Sequence, residues 1–261
     1  MIVIAGPCSI ESEDSTYSIA AELNRMSQRL QIEIIFKASY DKANRLSGES
    51  YRSIGLERSI EVFRAVKADF GMRITTDVHD VCEVETIAND VDVLQIPAFL
   101  CRQTDLVVEA ARTGKTVNVK KGQFLSPWNM HSIHKKIEKF KGDVWFTERG
   151  TTFGYGDLVV DMRSLEWMKG SGAKIIFDAT HSVQKPGAQG DSSGGTRELV
   201  PLLARAAVAA GIDGLFFEVH PRPEVALSDG PNMIPLDRFE GILGNLLELN
   251  RFVNSQTYPS L

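Results

Sequence analysis

Residues 174–181 read KIIFDATH, and residues 214–220 read GLFFEVH. Each is a short apolar, β-branched or aromatic run that closes on ionisable side chains, Asp178 and His181 in the first, Glu218 and His220 in the second. Nearly continuous apolar character over so few residues is the mark of a strand buried on both faces. Between the two runs, Leu199, Leu203, Ala206 and Ala207 recur at helical spacing. Strand, helix, strand is the unit of a parallel sheet.

The same unit extends through the rest of the chain. Further runs at 2–8, 32–39, 73–79, 91–98, 116–121 and 144–150 bring the strands to eight. Helical stripes lie between them: Leu56, Ile60, Phe63 and Val66, then Met130, Ile133, Ile137 and Phe140. A last stripe, Leu236, Phe239, Leu243 and Leu246, follows the eighth run. Ser126-Pro127 offers the second stripe an N-cap and a proline at the first helical position. Strict alternation, eight times in 261 residues, predicts one α/β catalytic domain over 1–261, a (β/α)8 TIM barrel. An open doubly wound sheet is the structural alternative. No G-x-G-x-x-G follows the first run to support its dinucleotide-binding form.

Composition bounds the function. Twenty-nine Lys and Arg against 34 Asp and Glu leave a net charge of -5, which argues against a nucleic-acid partner but leaves anionic small substrates open. No apolar run is long enough for a membrane span. Three cysteines cannot build a disulfide framework, and the start, MIVIAGPCSIESED, has no cationic segment and turns acidic by Glu11. A cytoplasmic protein is expected.

A barrel carries its chemistry at the C-terminal ends of its strands. Those ends here supply Cys8, Lys37 and Ser39, Asp77 and His79, Gln95, Lys120 and Lys121, Glu148 and Arg149, Asp178 and His181, and Glu218 and His220. A purely structural rim has no need of so many ionisable groups. Lys37, Lys42, Arg45, Lys120, Lys121 and Arg149 form a cationic set suited to phosphate and carboxylate groups, although a single Lys or Arg is more often a solvated surface charge. Cys8, His181, Glu218 and Asp229 offer sulfur, imidazole and carboxylate donors of the kind that bind Mn2+, Fe2+, Co2+ or Zn2+. A strand-end cysteine is more often a small buried hydrophobe than a ligand, and no local C-x-x-C or H-E-x-x-H spacing supports the metal reading. Cys82 and Cys101 read as core or surface thiols, and His131 and His134 as a solvated helix face. The Gly- and Ser-rich segment 183–198 is a candidate lid.

These residues fall within a set of longer motifs. GPCSIES (6–12), FKASYDKANR (36–45), TDVHD (76–80), LQIPAFLCRQTDL (94–106), VNVKKGQF (117–124), ERGTTFGY (148–155), FDATHSVQ (177–184) and EVHPRPEVALSDGPN (218–232) occur in order over nearly the whole chain. Together they resemble the 3-deoxy-D-manno-octulosonate 8-phosphate synthases. The resemblance implies a (β/α)8 barrel, usually a homotetramer. It also implies condensation of phosphoenolpyruvate with D-arabinose 5-phosphate on the route to lipopolysaccharide.

It implies roles as well. The metal-dependent branch of that family has Cys in the first-strand motif where the other branch has Asn, so Cys8 matches a metal ligand, with His181, Glu218 and Asp229 as its partners. Lys37, Ser39, Lys42, Gln95, Lys120, Gln123 and Arg149 match the phosphoenolpyruvate cradle. Asn44 and Arg45 match contacts to the sugar phosphate, and Phe99 and Arg102 match residues near a subunit interface. Lys42, Cys8 and His181 are the expected catalytic residues. One departure stands out: the family's D-K-A-N-R-S-S is here DKANRLS (41–47), so Leu46 replaces a hydroxyl and leaves Arg45, backbone amides and Ser47 to hold the phosphate. The alternative is the sister enzyme using erythrose 4-phosphate, which normally carries K-P-R-T where this chain has Lys42-Ala43-Asn44-Arg45. A metal-dependent aldolase and a non-catalytic binding barrel are more distant readings.

Overall fold

In the computed structural model, which describes residues 1–44, 48–186 and 194–256, eight parallel strands close on themselves. They are β1 (Ile2–Gly6), β2 (Ile34–Lys37), β3 (Ile74–Asp77), β4 (Val93–Ile96), β5 (Thr116–Lys120), β6 (Val144–Glu148), β7 (Lys174–Asp178) and β8 (Gly214–His220). Neighbours in sequence are neighbours in the sheet, and β8 returns to β1 in a register running from Ile2↔Gly214 to Gly6↔Glu218. That last pairing excludes the open sheet. Eight helices alternate with the strands: α1 (Glu13–Leu30), α2 (Leu56–Phe70), α3 (Val81–Ala88), α4 (Thr104–Arg112), α5 (Asn129–Ile137), α6 (Arg163–Lys169), α7 (Val200–Ala209) and α8 (Leu236–Ser255). Among the described residues no helix is long and apolar enough to cross a membrane.

Two apolar layers hold the barrel. Ile4, Ile35, Val93, Trp145, Ile176 and Phe216 pack together as the inner layer. Val3, Phe36, Leu94, Phe177 and Phe217 belong to the larger layer shared with the helices. Successive strand side chains point to opposite faces. The residues two positions beyond the inner layer therefore also point inward: Lys37, Gln95, Thr147, Asp178 and Glu218. An apolar floor with polar groups directly above it is the consequence.

Every strand but β8 stops short of its apolar run, because the rim residues already belong to turns. Asp178 ends β7, for example, and its Oδ1 accepts the backbone N–H of His181 at 2.9 Å. The stripes of α2 and α8 are buried much as their spacing predicts. That of α7 is not: Val200, Ala204, Ala207 and Val208 are buried, while Leu199 is exposed in the 3-10 turn before the helix. Ser126-Pro127 likewise forms the turn ahead of α5, which opens at Asn129; the Ser126 hydroxyl donates to the Asn129 side chain and does not cap the backbone. The two ends of the expected lid pair as short antiparallel strands, Gln184↔Gly195 and Lys185↔Gly194. Residues 187–193, between them, lie outside the described residues.

Candidate active site

Glu218, near the end of β8, is fully buried, and its Oε1 lies 2.5 Å from the Lys37 ammonium of β2. Lys37 also donates to the carbonyl oxygens of Pro7 and Cys8, at 3.2 and 2.8 Å. It thereby ties the β1 loop to β2. Gly6 makes that approach possible: a Cβ there would stand 1.8 Å from the Lys37 carbonyl oxygen. Lys42 donates to Ser39 at 3.0 Å and lies 4.0 Å from Glu218 Oε1; Ser39 in turn donates to Asp77 at 2.8 Å. Gln95 completes this side by donating to the other oxygen of Asp77.

Cys8, Glu218 and Asp229 bring one ligand atom each to within 4.8 Å of one another. The Cys8 thiol donates to Ser228 at 3.1 Å and to Asp229 Oδ2 at 3.5 Å. His181 faces the same carboxylates, with Nε2 at 3.6 Å from Glu218 Oε2 and 3.8 Å from Asp229 Oδ2. Its ring is aimed from behind by Asp178, whose Oδ2 is 2.8 Å from Nδ1. With Nδ1 so engaged, Nε2 is left for the cluster, the usual arrangement behind a metal-binding imidazole. Glu218 Oε2 is buried and has no hydrogen-bond partner among the described residues.

Opposite this cluster, Lys120 reaches Asp178 Oδ2 at 2.5 Å and lies 3.6 Å from the centre of the Phe216 ring. Arg149 donates to Gln184 Oε1 at 2.6 Å, while its own Nε is buried with no partner among the described residues. Gln123, on the loop after β5, is buried, and its Oε1 has no partner among the described residues.

Charges in so little water shift one another strongly. Burial, then Glu218, pushes the Cys8 thiol up to about 12. Burial opposes the charge on Lys42, but Cys8, Glu218 and Asp77 around it raise its pKa and keep it protonated. Burial likewise works against the Asp178 carboxylate, which His181 and Lys120 nonetheless hold well below the ordinary range. Glu218 is lowered against its own burial, chiefly by Lys37.

The barrel therefore brings together Cys8, Lys37, Ser39, Lys42, Gln95, Lys120, Arg149, His181, Glu218 and Asp229. Asn44, Phe99 and Arg102 are exposed on the loops after β2 and β4. Arg45 and Ser47, with Leu46, lie outside the described residues. Lys121 departs from expectation. It points away from the barrel interior, fully buried at 3.4 Å from Glu148, and donates to the carbonyl oxygen of Gly150 and the hydroxyl of Thr151. The reason is strand parity: adjacent residues of β5 and its extension face opposite sides, and Lys120 has the inner one. Glu148 is turned outward too, where it accepts from the backbone N–H groups of Arg149 and Gly150 and from Ser164.

Asp77 and Asp178 were visible as strand ends, and their inward parity would have identified them as partners of the cations. Ser228 and Gln184 had no comparable signal, because their contacts cross 220 and 35 positions of chain.

Comparison with known proteins adds an independent line. The profile of the DAHP synthetase I family matches residues 1–254. A 2-dehydro-3-deoxyphosphooctonate aldolase of Bradyrhizobium sp. (strain ORS 278) is 53% identical over 263 aligned residues, covering 100% of this chain and 92% of that protein. Proteins of the same name from Bradyrhizobium sp. (strain BTAi1 / ATCC BAA-1182) and Brucella ovis are each 52% identical over 98% of this chain, and over 90% and 92% of their own lengths.

Proposed function

Because the chain belongs to the DAHP synthetase I family, we propose that it joins phosphoenolpyruvate, D-arabinose 5-phosphate and water into 3-deoxy-D-manno-octulosonate 8-phosphate and inorganic phosphate. It is a transferase of the aldol-condensing kind, and its product is a lipopolysaccharide precursor. The eight-carbon product is the one in the relatives' name, which favours the five-carbon sugar over erythrose 4-phosphate. One observation carries the reading: buried Lys37, Lys120 and Arg149 share the barrel mouth with the Cys8, His181, Glu218 and Asp229 cluster.

Phosphoenolpyruvate brings a phosphate and a carboxylate, and the sugar a second phosphate. Lys37, Lys120 and Arg149 offset that charge and hold the methylene carbon toward the incoming aldehyde. Ser39, Gln95 and Gln123 add neutral hydrogen-bonding groups at the same end. Attack by the methylene carbon turns the aldehyde oxygen into an alkoxide and leaves the enol carbon electron-deficient; water adds there, loses a proton, and the carbon–oxygen bond to phosphate then breaks to release inorganic phosphate. Lys42, kept protonated by the acids around it, is the cation suited to stabilise the alkoxide and give it a proton. Asn44, on the loop after β2, and Arg45 and Ser47, which follow it in sequence, are read as contacts to the sugar phosphate.

Cys8, His181, Glu218 and Asp229 would hold a divalent ion such as Mn2+, Fe2+, Co2+ or Zn2+. The donor set suits one, and so does the buried Oε2 of Glu218, without a partner among the described residues. Bound there, such an ion supplies Lewis-acid polarisation of a carbonyl or a lowered pKa for water. A homotetramer in the cytoplasm completes the reading. Phe99, 52% exposed, and Arg102 beside it are available to a neighbouring subunit, and Cys8, Cys82 and Cys101 are all free thiols.

The test is phosphate release from phosphoenolpyruvate with arabinose 5-phosphate or erythrose 4-phosphate, each with and without chelator. Release with the five-carbon sugar alone, lost on chelation and restored by Mn2+, is the expected result. Release with erythrose 4-phosphate alone would overturn the sugar assignment, and full activity after exhaustive chelation the metal.

A further inference from the structure

Gln184 lies between the two halves of the site. Its Oε1 accepts from Arg149 Nη2 at 2.6 Å, and its Nε2 donates to Asp229 Oδ1 at 3.1 Å. A guanidinium has only donors and a carboxylate only acceptors, so the amide has one workable orientation. We infer that Gln184 is a positioning residue that fixes the anion-binding Arg149 and the metal-ligating Asp229 at once. The inference rests on the roles proposed above for those two residues.

The surroundings leave Gln184 little freedom. It is 8% exposed, and its backbone pairs with Gly195. Gly195 has no room for a side chain: a Cβ would stand 1.5 Å from Oδ1 of Asn232, which is fully buried. Asn232 belongs to the loop that carries Asp229, and its backbone N–H donates to the Asp229 carbonyl at 3.0 Å. Asp229 itself sits in the left-handed region, φ 48°, a conformation uncommon outside glycine and tolerated by Asp. Hairpin and loop are thus packed together with the amide bridging them.

What the bridge accomplishes follows from the atoms it occupies. By engaging Oδ1, Gln184 turns the other oxygen of Asp229 toward Cys8 Sγ, at 3.5 Å, and His181 Nε2, at 3.8 Å. By engaging Nη2 alone, it holds the guanidinium plane still while the buried Nε has no partner among the described residues. A side chain that orients a ligand in this way typically carries about 10- to 100-fold in metal affinity. A neutral hydrogen bond to a charged group carries about tenfold in the binding that depends on it.

Gln184→Leu removes both bonds at similar volume. The measurements are calorimetric titrations of the metal-free protein with Mn2+ alone and with phosphoenolpyruvate alone, beside a thermal melt. Mn2+ should bind about 10- to 100-fold more weakly and phosphoenolpyruvate about tenfold more weakly. Should that variant fail to fold, Gln184→Asn carries the same test, its amide being one methylene too short to span both partners. Both affinities within about twofold of wild type, or a change in only one, would overturn the two-ended role. Wild-type protein that takes up no Mn2+ would overturn the metal assignment and this inference with it, an outcome distinct from wild-type binding that the variants share.

Discussion

Lys37 and Glu218 form a closed ion pair, Nζ to Oε1 at 2.5 Å, with each side chain 1% exposed. A pair so far from water contributes stability only while both members are present. Removing one leaves a buried, uncompensated charge and typically costs about 3–5 kcal/mol. Here the second Glu218 oxygen faces His181 Nε2 at 3.6 Å, so a cation bound at the proposed site would replace part of the missing charge.

Lys37→Met is therefore expected to lose about 3–5 kcal/mol in the presence of a chelator and to recover part of that when Mn2+ is added. The double variant Lys37→Met, Glu218→Gln should lose less than the sum of the two single changes and should not respond to Mn2+. Urea unfolding of the four proteins, with and without the ion, measures this. Strict additivity would show the pair to be energetically uncoupled.

Asp77 gives a pH prediction. Burial alone would raise its pKa, but Lys42 and Lys37 hold it below the ordinary carboxylate value. A group with a depressed folded-state pKa stabilises the protein above its unfolded pKa, about 3.9 for Asp. That stability is lost as the pH falls from there through the folded value. Asp77→Asn should be less stable by about 3 kcal/mol at pH 7, with a similar deficit at pH 5. At pH 3.5 the deficit should be smaller, since wild-type Asp77 is then losing its own advantage. A deficit unchanged at acid pH would assign the loss to packing.

Most of the fold was legible because a strand buried on both faces leaves an apolar run that few other structures require. The candidate site was legible in part, since Lys37, Lys120, Asp178 and Glu218 stand at or near strand ends, whereas Lys42 and Asp229 lie on the loops beyond them. What spacing does not carry is parity and distance. Lys120 and Lys121 are indistinguishable by type, yet one faces Asp178 inside the barrel and the other Glu148 outside it. Leu199 matches the α7 period but belongs to the preceding turn. Gln184 meets Arg149 and Asp229 only because three separate loops converge over the barrel mouth. No local pattern announces such a contact.

Gly6 tests how closely β1 and β2 must approach for the pair above them to form. Its virtual Cβ falls 1.8 Å from the carbonyl oxygen of Lys37, a backbone atom that cannot rotate away. Gly6→Ala must push the strands apart at the residue that carries the ammonium. The expected loss is at the upper end of overpacking costs, about 3 kcal/mol or more, with a larger fall in phosphoenolpyruvate affinity than in kcat for the molecules that fold. An alanine variant melting within about 1 °C of wild type would show that the strand ends can shift freely, because a deficit of even 1 kcal/mol moves the melting temperature of a chain this size by a few degrees.

The last prediction concerns Cys8 and the proton it carries. Burial and then Glu218 push its thiol up to about 12, so without an ion it stays protonated at neutral pH and donates to Ser228 and Asp229. A metal takes the thiolate, so binding must expel that proton. Burial lowers the His181 pKa while Asp178 and Glu218 raise it, with a net rise. Nε2 therefore adds to the proton count as the pH falls. Mn2+ titrations in two buffers of different ionisation enthalpy should report at least one proton released per ion, with the count larger at acid than at alkaline pH. Affinity should accordingly rise about tenfold per pH unit where the thiol is the only group giving up a proton. Binding without proton release would mean that Cys8 keeps its hydrogen and that the ion is held by His181, Glu218 and Asp229 alone.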